Sequence, residues 1–291
     1  MLLYYSWRAA VFMRRLVPTP ICYVFSAVAG EVIWRFFMED EKKAATRANL
    51  ARATGLSDPK ALESLGRKTY RNYARLWADF VRFPTLSPQQ IRGKLITERW
   101  PYVDEVLARG KGLIFVTLHM GNWDLAAGAC AHRGYEFNVI AERFANRWID
   151  RLVNETREAL RLKVVFEDRP LEAFRALKRN EILALLMDVP GEQGVATQLF
   201  GGVAILPPGP ARLALRSGAG IITIGFYKRG GDTLYAHVPP PIFPVRTDDE
   251  AKDIEALTAR LAANFEPMIR ANPEQWYVFR DLWQDPAGTG R

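Results

Sequence analysis

From about Val103 to Ala271 the sequence alternates between short apolar or β-branched runs and stretches with helical periodicity. A helix is predicted over Val103–Arg109, ended by Gly110. Gly112–Leu118 follows as an apolar run too short for a helix and bounded by Gly and His, the pattern of a strand buried on both faces. Further helices are predicted over Trp123–His132, Asn146–Leu162, Leu171–Arg179, Gly209–Ser217 and Asp248–Ala271. Strands are predicted over Glu136–Ala141, Lys163–Phe166, Ile182–Met187, Ile221–Tyr227 and Leu234–Val238. Such alternation packs into an α/β fold, with a mixed, mostly parallel sheet and helices on both faces.

The first hundred residues read differently. Glu39–Ala53 is rich in Ala, Glu, Lys and Arg and is closed by Gly55, and Ser57 is the expected N-cap of a second helix that Pro84 and Pro88 end. Ahead of these, the apolar pieces Met1–Tyr5 and Ala9–Met13 are flanked by Arg8, Arg14 and Arg15. The run Ile21–Gly30 is cut by Glu31 and Arg35 well short of the ~20 residues that span a bilayer. No cleavage site follows a clean apolar stretch, so no signal peptide is expected. Apolar segments interleaved with arginine and large aromatics (Tyr4, Tyr5, Trp7, Trp34, Phe36, Phe37) fit helices lying in a membrane interface; a hairpin packed on the protein's own core is the other reading. The expected layout is an N-terminal helical, membrane-associating region (1–100), an α/β core (101–284) and a flexible tail (285–291), acting as one functional domain.

A net charge of +8 favours anionic partners, whether a membrane leaflet, nucleic acid or a phosphate-bearing molecule. No nucleic-acid module appears, so nucleic acid is not an expected partner. The two cysteines, Cys22 and Cys130, form no metal-ligand spacing and no redox pair, which points to a reducing compartment. P-loop, dinucleotide and G-x-S-x-G signatures are absent, and no cofactor or metal is expected.

Chemistry in open α/β sheets gathers at the carboxyl ends of strands. His119 stands at such an end, in the segment His119-Met120-Gly121-Asn122-Trp123-Asp124. Gly121 allows a sharp turn, Asn122 suits the N-cap of the next helix, and Asp124 falls in its first turn. That geometry can return the Asp124 carboxylate to His119, fixing its tautomer and leaving the other ring nitrogen to act as a general base. On spacing alone, the same residues also read as a mere capping arrangement. Glu142 and Arg143, after the second strand, and Asp188, after the Ile182–Met187 strand, should reach the same sheet edge. Glu192 lies in the loop beyond, Arg157 on the next helix and Arg212 near a helix start; together with Asn122 these are the candidate substrate-binding residues.

The stretch Gly112-Leu-Ile-Phe-Val-Thr-Leu-His119-Met-Gly-Asn-Trp-Asp124 resembles the histidine–x4–acid block of bacterial lipid A biosynthesis acyltransferases, in the aspartate branch that includes mycobacterial phosphatidylinositol mannoside acyltransferases. Ala48-Asn49-Leu50, Glu142-Arg143-Phe144-Ala145-Asn146, Phe200-Gly201-Gly202, Pro208–Ala214 and Asn272-Pro273-Glu274-Gln275-Trp276 match further blocks in order, with Asn272 where relatives often carry His. The resemblance implies transfer of a fatty acyl group from an acyl thioester, acyl-CoA or acyl carrier protein, to a glycolipid hydroxyl. It implies His119 as base, Asp124 as its orienting partner, and work at the cytoplasmic face of the inner membrane. Arg143 would then bind phosphate or polarise the thioester carbonyl, and Glu142 and Glu192 would meet acceptor sugar. For Arg212, near a helix start after Gly-Pro, the two readings are a contact to donor phosphate and a mere cap on a neighbour. Part of an apolar tunnel for the acyl chain is expected between the site and the N-terminal helices. Two other readings stay open: an acyl-thioester hydrolase using the same base, and a non-catalytic lipid-binding protein.

Overall fold

The computed structural model describes residues 2–14, 16–189 and 194–283. Glu192, Arg15 and the 285–291 tail lie outside the described residues. Five helices come first: α1 (Leu2–Met13), α2 (Thr19–Phe36), α3 (Asp40–Thr54), α4 (Pro59–Arg82) and the short α5 (Pro88–Arg92). Gly55 closes α3 in the left-handed conformation, as expected. The cap of α4 is Asp58, not Ser57; its carboxylate accepts from the Ala61 amide at 2.9 Å. Pro59 at the first helical position fixes that register, because proline fits where an amide would go unbonded anyway. α2 lies on α4: Trp34 is buried over Gly66, where a Cβ would come within 2.8 Å of the indole, so only glycine admits the ring.

The remaining elements are β1 (Leu95–Ile96), α6 (Trp100–Leu107), β2 (Leu113–Thr117), α7 (Trp123–Ala131), β3 (Phe137–Ala141), α8 (Arg147–Ala159), β4 (Lys163–Phe166), α9 (Pro170–Lys178), β5 (Ile182–Leu186), β6 (Val195–Leu199), β7 (Gly202–Leu206), α10 (Gly209–Ser217), β8 (Gly220–Thr223), β9 (Gly225–Lys228), β10 (Leu234–His237) and α11 (Glu250–Ala271). The central sheet is wholly parallel, in the order β4-β3-β5-β2-β8. Every residue of β2 is buried, as expected for a strand covered on both faces. Odd-numbered residues of β2 pack under α7 and α8, and even-numbered ones pack under α10 and α11.

The single mostly parallel sheet expected from the sequence is instead three sheets. β1, β10 and β9 form a small mixed one, and β6 and β7 an antiparallel pair. The predicted strand Ile221–Tyr227 is two strands: β8 pairs with β2 as far as Thr223, and from Gly225 the chain pairs in another sheet. Between the two, the Ile224 amide donates to the Val116 carbonyl, the Thr117 hydroxyl donates to the Ile224 carbonyl, and the chain crosses to pair with β10. The β6–β7 hairpin carries no alternation strong enough to be read. Its two-residue turn, Phe200-Gly201, has φ of 51° and 76°, matching the twist of the flanking strands.

Candidate active site

β2 and β5 are parallel neighbours with Thr117 opposite Leu186. Carrying that register two residues past the strand ends sets His119 opposite Asp188. His119 Nδ1 lies 2.8 Å from Asp188 Oδ1, and the His119 amide donates to Asp188 Oδ2 at 2.8 Å. Trp276 Nε1 also donates to Oδ2, at 2.9 Å. The carboxylate is buried and fully engaged, so it fixes the proton on Nδ1 and directs the Nε2 lone pair outward. The His119 side chain is about 30% exposed, enough for Nε2 to meet a substrate.

The loop carrying His119 is pinned on both sides. Its carbonyl accepts from the Tyr277 amide at 2.7 Å, and the Gly121 amide donates to the Gln275 carbonyl at 3.0 Å. Gly121 has φ of 65°, and a Cβ there would fall 2.3 Å from the Phe226 carbonyl oxygen. Only glycine passes that point. Tyr277 is buried beside this loop, and burial, with the Asp79 charge, pushes its phenol well above the usual range.

The expected pairing of His119 with Asp124 does not form. Trp123 and Asp124 open α7, and successive helical residues point about 100° apart. Trp123 turns toward His119, with ring centroids 5.1 Å apart, so Asp124 turns inward. There, buried, it binds Arg157 of α8 at 2.8 Å, and its Oδ2 has no hydrogen-bond partner. Arg157, read from sequence as a substrate contact, is thus the ion-pair partner of the buried Asp124. Asp188, read as a substrate contact, holds the position assigned to Asp124.

Asn122 is also corrected from a substrate contact. It is fully buried; its oxygen caps α7 through the Leu125 amide at 3.1 Å and its amide donates to Asp79 at 2.9 Å. Glu142 and Arg143 stand exposed past the end of β3, on the same sheet edge but two strands away, about 10 Å at the usual spacing. They form no ion pair with each other; the Arg143 guanidinium lies over the Phe166 ring at 3.6 Å. Arg212 is exposed on α10, across the sheet from α7, and is not brought to the dyad.

A narrow apolar cavity lies under α7, lined by Trp123, Thr117, Arg157, Ala184, Ala127, Val139, Phe115 and Phe137; Trp123, whose ring contacts His119, joins it to the dyad. Small residues under α7 leave this space between helix and sheet. None of its lining residues comes from the N-terminal helices. Sequence reading missed Asp79 and Lys228 as parts of the site's scaffold, and Gln275 entered it only within the Asn272–Trp276 block. Asp79 had a signal: it sits on the buried face of α4, one turn from Leu76 and Phe83. Trp276 was noted only as part of a motif.

Residues 1–285 match the family described as bacterial lipid A biosynthesis acyltransferase. A phosphatidylinositol mannoside acyltransferase of Mycobacterium tuberculosis (strain ATCC 25618 / H37Rv) is 26% identical over 257 residues, covering 86% of this chain and 79% of the relative. One of Mycolicibacterium smegmatis is 28% identical over 243 residues, covering 81% and 78%. With a match that spans nearly its whole length, this chain belongs to the bacterial lipid A biosynthesis acyltransferase family and is an acyltransferase.

Proposed function

We propose that this enzyme transfers a fatty acyl group from an acyl thioester, acyl-CoA or acyl carrier protein, to a sugar hydroxyl of a glycolipid of the phosphatidylinositol mannoside type. The observation that carries the reading is the His119–Asp188 contact, which leaves Nε2 as an oriented base beside an apolar cavity. Nε2 takes the proton of the acceptor hydroxyl, and the oxygen attacks the thioester carbonyl. The new C–O bond forms, the C–S bond breaks, and the imidazolium returns the proton to the thiolate sulfur. Asp188 stabilises that imidazolium. Arg157, held at Nε by Asp124 and lining the cavity, polarises the carbonyl and stabilises the oxyanion. The acyl chain lies in the cavity, where each buried methylene contributes about 0.8 kcal/mol. Arg143 and Glu142, exposed on the same edge, meet phosphate and sugar. No cofactor beyond the acyl donor is required.

The enzyme works from the membrane surface, at the cytoplasmic face of the inner membrane, peripheral or monotopic. Phe12, Leu16, Val24, Phe25, Phe36 and Phe37 on and beside α1 and α2 are exposed, Phe36 and Phe37 at 74% each. Apolar side chains in that number on the two N-terminal helices mark a contact surface. Arg8 and Arg35 beside them suit an anionic leaflet, at about 1 kcal/mol per basic residue. Among the described residues no single helix is long and apolar enough to cross a membrane.

The test is product analysis with labelled palmitoyl-CoA, with and without vesicles containing phosphatidylinositol mannoside. Acylated glycolipid is expected from the wild type and none from a folded His119→Ala variant. Free fatty acid alone, whatever the acceptor, replaces this reading with hydrolysis. Vesicle binding without turnover of any donor replaces it with a lipid-binding role.

A further inference from the structure

Asp79 of α4 is fully buried, yet its carboxylate takes hydrogen bonds from three separate elements. The Tyr23 hydroxyl of α2 donates at 2.6 Å, the Asn122 amide at 2.9 Å and the Lys228 ammonium of β9 at 2.5 Å. Arg82, three residues along α4, stands at 3.8 Å and is bound to Asp232 at 2.6 Å. A buried carboxylate costs several kcal/mol unless it is paired and hydrogen-bonded, so replacing it disturbs every partner it holds.

The partners of Asp79 lead to one place. Asn122 is the third residue after His119 and the cap of α7. Lys228 has both backbone polar groups held by the Gln275 side chain, its amide at 2.8 Å and its carbonyl at 2.9 Å. The Gln275 carbonyl in turn accepts from the Gly121 amide. Asp79, Asn122, Gly121, Gln275 and Lys228 therefore close a ring of hydrogen bonds and covalent links around the His119 turn. Asp188 orients the imidazole from one side, and this ring fixes the backbone from which the imidazole projects.

We propose that Asp79 is a positioning residue for His119: through Asn122 and Lys228 it locks the 119–122 turn against Gln275, and through Tyr23 it ties α2 into the same ring. Asp79 touches no reacting atom; it acts on the His119 geometry, a role that rests on the reading of His119 as the base. Loss of the ring lets the Asn122 cap rotate and the turn relax, and the Nδ1 contact with Asp188 lengthens.

The test uses full-length protein with isotopically labelled histidine, whose three imidazoles are assigned by the loss of one set of signals in His119→Gln. In Asp79→Asn the Nδ1-protonated tautomer of His119 is expected to give way to a mixture. The reciprocal pair Asp79→Asn with Asn122→Asp restores an amide facing a carboxylate, keeps the net charge and keeps a good N-cap, and is expected to return the signals toward wild type. Asn122→Ser, which caps α7 but is too short for Asp79, leaves the buried carboxylate its other partners; it is expected to show the same change as Asp79→Asn and decides the matter if Asp79→Asn does not fold. In turnover of palmitoyl-CoA on vesicles containing phosphatidylinositol mannoside, Asp79→Asn is expected to lose about a hundredfold in kcat at unchanged KM, the scale of an ångström of misplacement. His119 signals identical to wild type in folded Asn122→Ser, or a reciprocal pair as perturbed as Asp79→Asn, overturn the proposal. The imidazole signals need no substrate. If the wild type transfers no acyl group while those signals respond as expected, acyl transfer fails as the function and the positioning role stands.

Discussion

Asp188→Asn separates the two carboxylates that compete for the role of His119's partner. Asp188 Oδ2 accepts from two fixed N–H donors, the His119 amide and the Trp276 indole. An asparagine here must aim its carbonyl oxygen at those donors, since its amide would face them donor to donor. Its NH2 group then faces Nδ1 from the position of Oδ1. Nδ1 becomes an acceptor, the ring proton moves to Nε2, and the base is lost while every heavy atom stays in place. In a Ser-His-Asp site the same wrong-tautomer change lowers kcat about 10⁴-fold, roughly 5 kcal/mol of transition-state free energy, and a loss of that order is expected here. The assay is kcat for labelled palmitoyl-CoA with phosphatidylinositol mannoside vesicles, beside thermal unfolding and the nitrogen shifts of His119, which should report the Nε2-protonated form. Asp124→Asn makes no tautomer change, because Asp124 faces Arg157; its loss should be about 10²-fold, through a loosened guanidinium. A folded Asp188→Asn within tenfold of wild-type kcat refutes the reasoning, as does an Asp124→Asn variant with the larger loss and the altered His119 tautomer.

Other consequences follow from packing. Ala184→Leu adds bulk to the cavity wall at the level of Phe115 and should displace two or three methylenes of the acyl chain; about 2 kcal/mol, or thirtyfold in kcat/KM, should shift preference toward shorter acyl-CoA donors, and an unchanged chain-length profile removes the cavity as the acyl seat. Gly121→Ala places a methyl against the Phe226 carbonyl at a φ that L-residues avoid, so it should cost about 3 kcal/mol and lower Tm by several degrees; wild-type melting contradicts the geometry of the turn. Cys130 is buried with its thiol pushed up to about 12, whereas Cys22 is half-buried. A disulfide reagent at pH 8 should therefore titrate one thiol in native protein and both in denaturant, and two fast thiols in the native state would show Cys130 to be accessible.

How much of this was legible beforehand depended on the range of the interaction. The strand at Leu113–Thr117, the cap at Asn122, the turn at Gly121 and the placing of His119 at a strand end are local, set by residues within a few positions of one another, and the sequence carried them. The same holds for the family, whose blocks lie in order along the chain. The division of Ile221–Tyr227 between two sheets was not legible, because its two halves pair with different, distant strands.

The partner of His119 shows the boundary most sharply. Spacing offered Asp124, five residues away along a turn and a helix start. Parallel pairing of β2 with β5 brought Asp188 instead, 69 residues on, and the pitch of α7 turned Asp124 away toward Arg157. By itself the sequence determined that His119 stands at the carboxyl edge of the sheet, which follows from local pattern, and the family resemblance made it the candidate base. Only the tertiary structure decided which carboxylate meets that imidazole, because strand register between distant segments, and the direction a helix presents each side chain, exist only once the chain is packed.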